Sequence, residues 1–315
     1  MFIDNDQIEK LLPMSECIEV MQALFLLNAE TDIVNPLRST MPLHNDSRGV
    51  MGVMPAYIRP YEVMGIKVLS IFPDNYKKGL SSHQGIIHLY ETRTGQLMTS
   101  LDADGITGIR TAAVSALATK HLAIPNAKAL CILGSGVQAR KHIEAMLEIR
   151  DIEKITLWSL NKSSAERLAG DMEQYEGIDF KVCDTVREAA MDADIICTVT
   201  AAKKPILENA YLKPHVHINA VGACTATTRE LASEIINTSD VYVDNRVSAA
   251  NEAGELLLPA KENGHDALDF VKADISELLK DSSRYDASRK TVFKSLGIAS
   301  EDLAAGLLCY TKLKG

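Results

Sequence analysis

Leu130-Cys131-Ile132-Leu133-Gly134-Ser135-Gly136-Val137-Gln138-Ala139 is the stretch on which the fold turns. An apolar run with the character of a buried strand enters a G-x-G-x-x-A turn and leaves it as a helix. Each position has a physical reason. Gly134 permits the tight turn, Gly136 leaves room for a pyrophosphate, and Ala139 lets the helix approach the strand. The helix N-terminus, with Ser135, Val137 and Gln138 around it, offers unpaired N–H groups and a partial positive charge to phosphate. The expectation is a dinucleotide-binding unit.

The chain downstream of that turn alternates strand and helix patterns in the manner of a parallel sheet with crossover helices. Strands are expected at 129–133, 155–158, 180–182, 195–200, 217–221 and 241–243, with helices such as 137–149 and 164–172 between them. This α/β pattern reads as a Rossmann-type, doubly wound parallel sheet over residues 121–290. NAD-binding units usually end their second strand with an acid that grips the ribose 2′-hydroxyl. Here the corresponding stretch, Thr156-Leu157-Trp158-Ser159-Leu160-Asn161-Lys162-Ser163, has none. Ser159, Asn161 and Lys162 can donate to a 2′-phosphate instead, so NADP is expected over NAD.

Upstream the texture differs. Residues 8–29 carry apolar residues at helical spacing, and the region from Arg38 to Leu101 reads as short strands and turns, including a strand at 65–72 and a hairpin from 86–90 to 96–101. A helix rich in small residues follows at 107–122. A last strand and helix at 291–310 fall outside the downstream alternation. The expected organisation is therefore an α+β domain built from both termini, 1–120 with 291–315, around the dinucleotide domain.

Composition narrows the function. The 315 residues suffice for two domains, and the net charge of -9 argues against nucleic acid, which requires a basic face. No apolar run is long enough to cross a membrane, and the first residues do not resemble a signal peptide. The six cysteines are scattered without C-x-x-C spacing, and His215 and His217 lack a third ligand, so neither disulfides nor a metal site is expected. These features suggest the cytoplasm. Hydride transfer to a small acid needs a cationic clamp for the carboxylate. Lys67, in a strand between apolar neighbours, Arg110, near the start of a helix, and Arg38 are the candidates. On spacing alone they name no reaction.

From Arg38 to its last helix the chain resembles the ornithine cyclodeaminase/mu-crystallin family. The resemblance rests on several blocks in order: Gly52-Val53-Met54-Pro55-Ala56-Tyr57, Gly65-Ile66-Lys67, Ser82-His83-Gln84-Gly85 and Ile109-Arg110-Thr111-Ala112-Ala113. Leu130–Ala139, His217-Ile218-Asn219-Ala220-Val221-Gly222-Ala223 and Thr291-Val292-Phe293-Lys294-Ser295-Leu296-Gly297 continue it. It implies a substrate and dimerisation domain and a homodimer with strands of both subunits joined. It also implies that Arg38, Lys67 and Arg110 hold a substrate carboxylate, with Lys67 and Arg110 as catalytic residues. By the same resemblance His83, Thr111, Ser295 and Gly297 lie near the nicotinamide and the substrate. Thr198, Val199, Thr200 and Val221 line the cofactor, and Glu252 matches an acid that faces the pocket in some relatives.

One position departs. Cyclodeaminases of this family carry an aspartate where this chain has Cys224. Deaminating ring closure needs a carboxylate to hold and deprotonate a distal amine, and a thiol is mostly protonated near neutral pH. The ketimine reductase branch similarly lacks that aspartate. The resemblance thus implies an NAD(P)H-dependent reductase of a small cyclic imino acid, with Cys224 shaping the substrate pocket. Δ1-Pyrroline-2-carboxylate, giving L-proline, is the first expected substrate; Δ1-piperideine-2-carboxylate, giving L-pipecolate, is the second. Ornithine cyclodeaminase, alanine dehydrogenase and a non-catalytic crystallin-like binding protein are the alternatives.

Overall fold

A computed structural model describes residues 1–27, 29, 31–43, 49–281, 285–286 and 288–315. Positions 28 and 44–48, inside the expected first helix and the strand-and-turn region, lie outside these. The chain divides into two compact units, Met1–Arg110 with Gly297–Gly315, and Thr111–Leu296.

The first unit runs β1 (Phe2–Ile3), α1 (Asn5–Leu11), α2 (Met14–Leu26), β2 (Ile33–Val34), β3 (Ser39–Pro42), β4 (Val50–Ile58), β5 (Val63–Ile71), β6 (His83–Glu91) and β7 (Leu97–Asp102). It continues into α3 (Ala103–Leu122), inside which the unit boundary falls. The strands form one sheet in the order β1-β7-β6-β5-β4-β2, with β3 also on β4. Alternation of period two sends Met54, Ala56 and Ile58 of β4, Val63 and Lys67 of β5, and Ile87 and Leu89 of β6 to a buried face. The C-terminal helix packs on these strands, and Leu303 lies against Gly65, where any Cβ would also strike the His88 carbonyl.

The second unit contains β8 (Ala129–Leu133), α4 (Val137–Leu147), β9 (Lys154–Trp158), α5 (Lys162–Asp171), β10 (Asp179–Val182), α6 (Val186–Ala190), β11 (Ile195–Thr198), β12 (His217–Ala220), α7 (Ser233–Thr238) and β13 (Asp240–Val243). There follow α8 (Arg246–Glu252), α9 (Gly254–Asn263), β14 (Val271–Asp274), α10 (Ile275–Lys280) and β15 (Thr291–Lys294), after which α11 (Ala299–Lys314) completes the first unit. The sheet is wholly parallel, in the order β10-β9-β8-β11-β12-β15-β13-β14. Strand order reverses between β8 and β11, the switch point at which such sheets bind ligands. The apolar runs of β8, β11 and β12 are buried on both faces, as helix-covered parallel strands must be.

The structure differs from the expected organisation in three places. The helix expected over 8–29 is two helices, because Pro13 cannot continue the first and opens the second. Strand β15, expected with the terminal domain, lies between β12 and β13 in the parallel sheet, since its residues Val292 and Phe293 are as apolar as its neighbours. The division near residue 120 falls at Arg110 instead, because α3 runs unbroken through 103–122. No helix among the described residues is long and apolar enough to cross a membrane.

A buried polar chain ties α3 and α4 together within the second unit. His142 donates from Nδ1 to the Gln138 carbonyl at 2.8 Å and accepts from the Ser115 hydroxyl at 2.9 Å. His217 lies 2.8 Å from Thr291 Oγ1, and Asn219 donates to Thr119 Oγ1 at 2.8 Å. Burial pushes His142 down to about 4 and His217 down to about 3, against the partial help of their hydrogen bonds. Below their unfolded value of about 6.5 the unfolded chain binds protons that the folded one refuses, so stability falls with pH, by ~1.4 kcal/mol per unit for each histidine. Urea unfolding at pH 5 should therefore give a free energy several kcal/mol below that at pH 7. Equal values would show that these histidines are not buried neutral.

Candidate functional site

In the first unit, four residues singled out from the sequence converge. Lys67 and Arg110 are 3% and 4% exposed, and Asp302 and Glu301, in the first turn of α11, are fully buried. A helix N-terminus favours acids there. Lys67 Nζ lies 3.0 Å from Asp302 Oδ1, and Arg110 Nε donates to the same oxygen at 2.9 Å. Arg110 Nη1 reaches Glu301 Oε2 at 2.6 Å. Thr107, three residues before Arg110 on the same helix face, receives Lys67 at 2.6 Å. Arg38 donates from Nη2 to the Gly297 carbonyl at 3.1 Å. Gly297 has φ +73°, and a Cβ there would collide with the Arg110 guanidinium, so the turn before α11 requires glycine.

Electrostatics follow from burial. Desolvation brings Lys67 down to about 8, opposed chiefly by Asp302 and assisted by Arg110. Burial alone would raise the Asp302 carboxyl, but the charges of Arg110 and Lys67 and their hydrogen bonds hold it below the usual range. Removing one partner of such a buried pair costs about 3–5 kcal/mol. A cluster of three cations partly neutralised by two acids is suited to receive one more carboxylate. Nearby in the same unit, His83 opens β6, with Ser82 Oγ 3.0 Å from its Nδ1, and Ser81 donates to Asp104 at 2.9 Å.

The second unit carries the glycine turn. Gly134 leaves β8 with φ +129°, where a Cβ would lie 2.7 Å from the Val199 carbonyl oxygen. Its N–H donates to the Trp158 carbonyl at 2.8 Å, tying β8 to β9. Gly136 caps α4, and a Cβ added to it meets no atom within 4 Å, while Val137 beside it is 67% exposed. The cradle is therefore open where a pyrophosphate would approach the helix N-terminus, and Ala139 is buried behind it. Ser135 and Ser159 share a hydrogen bond of 2.9 Å. Asn161 caps α5 and accepts from Ser163, and Lys162 pairs with Asp184 at 2.5 Å, both side chains mostly exposed. So exposed a pair contributes little to stability and leaves the lysine available to a phosphate.

Thr198, Val199, Thr200 and Val221 stand at the carboxyl ends of β11 and β12, where Val199 N–H donates to Leu133 O at 2.9 Å and Val221 N–H to Thr198 O at 3.0 Å. These loops are held by Glu230, which no sequence signal singled out. Its carboxylate accepts Thr198 Oγ1 and Gly222 N at 2.8 Å on one oxygen, and Thr200 N and Oγ1 at 2.7 Å on the other. Glu255 accepts from Glu230 N at 3.0 Å and faces Lys294, 3.4 Å away, and all three residues are fully buried. Ser295 is buried, with its hydroxyl unbonded among the described residues, and Thr111 is buried at the start of this unit. Cys224 is half-buried against the unit's apolar cluster, and Glu252 ends α8. Both thus belong to the second unit, whereas Arg38, Lys67, Arg110 and Gly297 belong to the first.

A parallel sheet with an open glycine turn at its switch point, in a chain that also buries paired cations, describes a nicotinamide-dependent enzyme of α/β type. The chain matches the ornithine cyclodeaminase/mu-crystallin family over residues 1–315 and belongs to that family. It is 36% identical over 313 residues to the ketimine reductase mu-crystallin of Rattus norvegicus, spanning 98% of this chain and 96% of that protein. It is 36% identical over 312 residues to a Δ1-pyrroline-2-carboxylate reductase of Bacillus cereus, with 98% and 94% of the two chains covered. The Thermococcus litoralis Δ1-pyrroline-2-carboxylate reductase, whose structure was solved with NADH and L-proline, superposes with a TM-score of 0.95 at 33% identity, over 100% of this chain and 97% of that one.

Glu230→Ala strands one buried and three part-buried donors, so it should weaken binding of a nicotinamide dinucleotide at least about tenfold and lower Tm by several degrees. Fluorescence titration without substrate measures the first effect. An unchanged Kd would mean that the loops hold their shape without this carboxylate.

Proposed function

We propose that the chain is an NAD(P)H-dependent reductase of cyclic ketimine acids, acting on Δ1-pyrroline-2-carboxylate to give L-proline and, as a second substrate, on Δ1-piperideine-2-carboxylate to give L-pipecolate. The observation that carries this reading is the cation cluster of Arg38, Lys67 and Arg110, the last two buried, in a chain whose other unit bears the dinucleotide turn. The names of its relatives support the same substrate class.

The nicotinamide, when bound, supplies the hydride. The chain's own residues do the rest. Lys67 and Arg110, with Arg38, receive the substrate carboxylate by charge-assisted hydrogen bonds and so fix the adjacent C2, the carbon that must accept hydride. The imine nitrogen would take a proton as C2 takes the hydride, and the C=N bond would become a C–N bond. Cys224 shapes the pocket, which favours reduction over deaminating ring closure, for which a carboxylate at that position is the natural base. Of the residues assigned by the family likeness to the reacting end, His83 and Gly297 lie in the first unit, and Thr111, Ser295 and Glu252 in the second. Gly134, Ser135, Gly136, Val137 and Gln138 would hold the pyrophosphate at the open turn. Ser159, Asn161 and Lys162 would hold the ribose 2′-phosphate of NADPH, Lys162 giving up Asp184 for it.

A homodimer completes the reading. The face of the first unit's sheet opposite the one that carries α11 exposes Met51, Met64 and Ile86, beside an apolar groove lined by Pro55, Tyr57 and Tyr90. These exposed apolar side chains and the groove beside them call for a cover, and a second copy of the same sheet supplies it. Met64→Glu should shift sedimentation equilibrium toward monomer.

The deciding measurement is the loss of 340 nm absorbance with NADPH or NADH and Δ1-pyrroline-2-carboxylate, without ammonia. Rapid oxidation to L-proline, with ornithine inert, is expected. Ammonia released from ornithine would replace this reading with the cyclodeaminase one. Cys224→Ser should retain activity within roughly tenfold, and Lys162→Ala should lower kcat/KM for NADPH about tenfold or more while sparing NADH. Equal losses with both cofactors would remove Lys162 from the 2′-phosphate site.

A further inference from the structure

Two cations of the cluster land on a single oxygen. Asp302 Oδ1 accepts Lys67 Nζ at 3.0 Å and Arg110 Nε at 2.9 Å, so this atom sets the spacing between ammonium and guanidinium. Lys67 spends a second N–H on Thr107 Oγ1 at 2.6 Å. That hydroxyl donates onward to the Ala103 carbonyl at 2.5 Å, so it can only accept from the lysine. The third N–H of Lys67 has no partner among the described residues. Asp302 Oδ2 is buried and likewise unbonded among them, so the carboxylate makes all its bonds through the oxygen that holds the cations.

We propose that Asp302 is a positioning residue for the substrate, holding Lys67 as an ammonium and aiming it, together with Arg110, at the incoming carboxylate. The proposal rests on the reading of this cluster as the imino acid's carboxylate clamp. Several charged groups face Lys67. Arg110 on α3 and Arg38 before β3 repel its proton, as does His83 on β6 when charged, and Asp104 on α3 attracts it more weakly. Glu301 on α11 is bonded to Arg110. Asp302 is the group whose charge and hydrogen bond both oppose desolvation of the ammonium. Without it, burial and two guanidinium neighbours would leave a neutral amine at the pH where the enzyme works, and the clamp would lose one of its three charges.

The test is Asp302→Asn, which keeps the shape and removes the charge. In the intact enzyme, KM for Δ1-pyrroline-2-carboxylate should rise on the alkaline side as Lys67 loses its proton. In the variant that rise should begin at least about one pH unit lower, and KM near pH 7.5 should be about tenfold or more higher. At saturating substrate kcat should fall no more than about threefold, and the Kd for NADPH, read by fluorescence, should stay within about twofold. A KM profile that keeps its position on the pH axis would overturn the proposal. Should the variant not fold, the titration of Lys67 in the unaltered protein decides. Its ammonium can be followed by NMR after ¹³C reductive methylation and assigned from the spectrum of Lys67→Arg. Titration near 8 supports the hold by Asp302, and titration below about 7 refutes it. That measurement needs no substrate, so absence of turnover with the imino acid would sink the reductase reading separately.

Discussion

A charge removed from water must meet an opposite charge or a full set of hydrogen bonds, and each unit of this protein is organised around that demand. In the first unit the burdened groups are Lys67 and Arg110, and the answer is a pair of acids at the start of α11. In the second they are Glu230 and Lys294, answered by loop N–H groups, threonine hydroxyls and Glu255. Positions of strands and helices follow. The first turn of α11 must reach β5 and α3, and the loops after β11 and β12 must close on one carboxylate.

The two units are suited to ligands by different physics. The glycine turn works through backbone N–H groups and a helix dipole, which need no side-chain charge and suit a phosphate of fixed geometry. The cation cluster works through side chains whose net charge is finely set by neighbouring acids, which suits a small carboxylate.

Much of this was legible in the chain. The strand at 129–133 and its turn stand out because apolar continuity, glycine spacing and a following helix coincide, and the structure keeps those boundaries. Lys67, Arg110 and Arg38 were legible as cations among apolar or helical neighbours. Their partners were not. Glu301 and Asp302 follow an apolar turn and read as ordinary acids of a helix N-terminus, and their burial depends on a fold that returns residue 302 to residue 67. Glu230 sits in a loop with no periodicity to expose it. The place of β15 was equally hidden, since a four-residue apolar strand carries no mark of the sheet it joins.

That insertion has a consequence for the order of assembly. Strands β12 and β13 do not pair with each other; each pairs with β15, made of residues 291–294. A nascent chain that has emerged as far as β14 thus holds a sheet with a missing plank, and the first unit likewise waits for α11 to cover its inner face. Neither core closes until nearly the whole chain is made. The contacts that finish the fold are among the longest in sequence, which slows folding and leaves apolar strand edges open in the meantime. A ribosome-bound chain of this protein is therefore a natural client for chaperones until residues 291–314 appear.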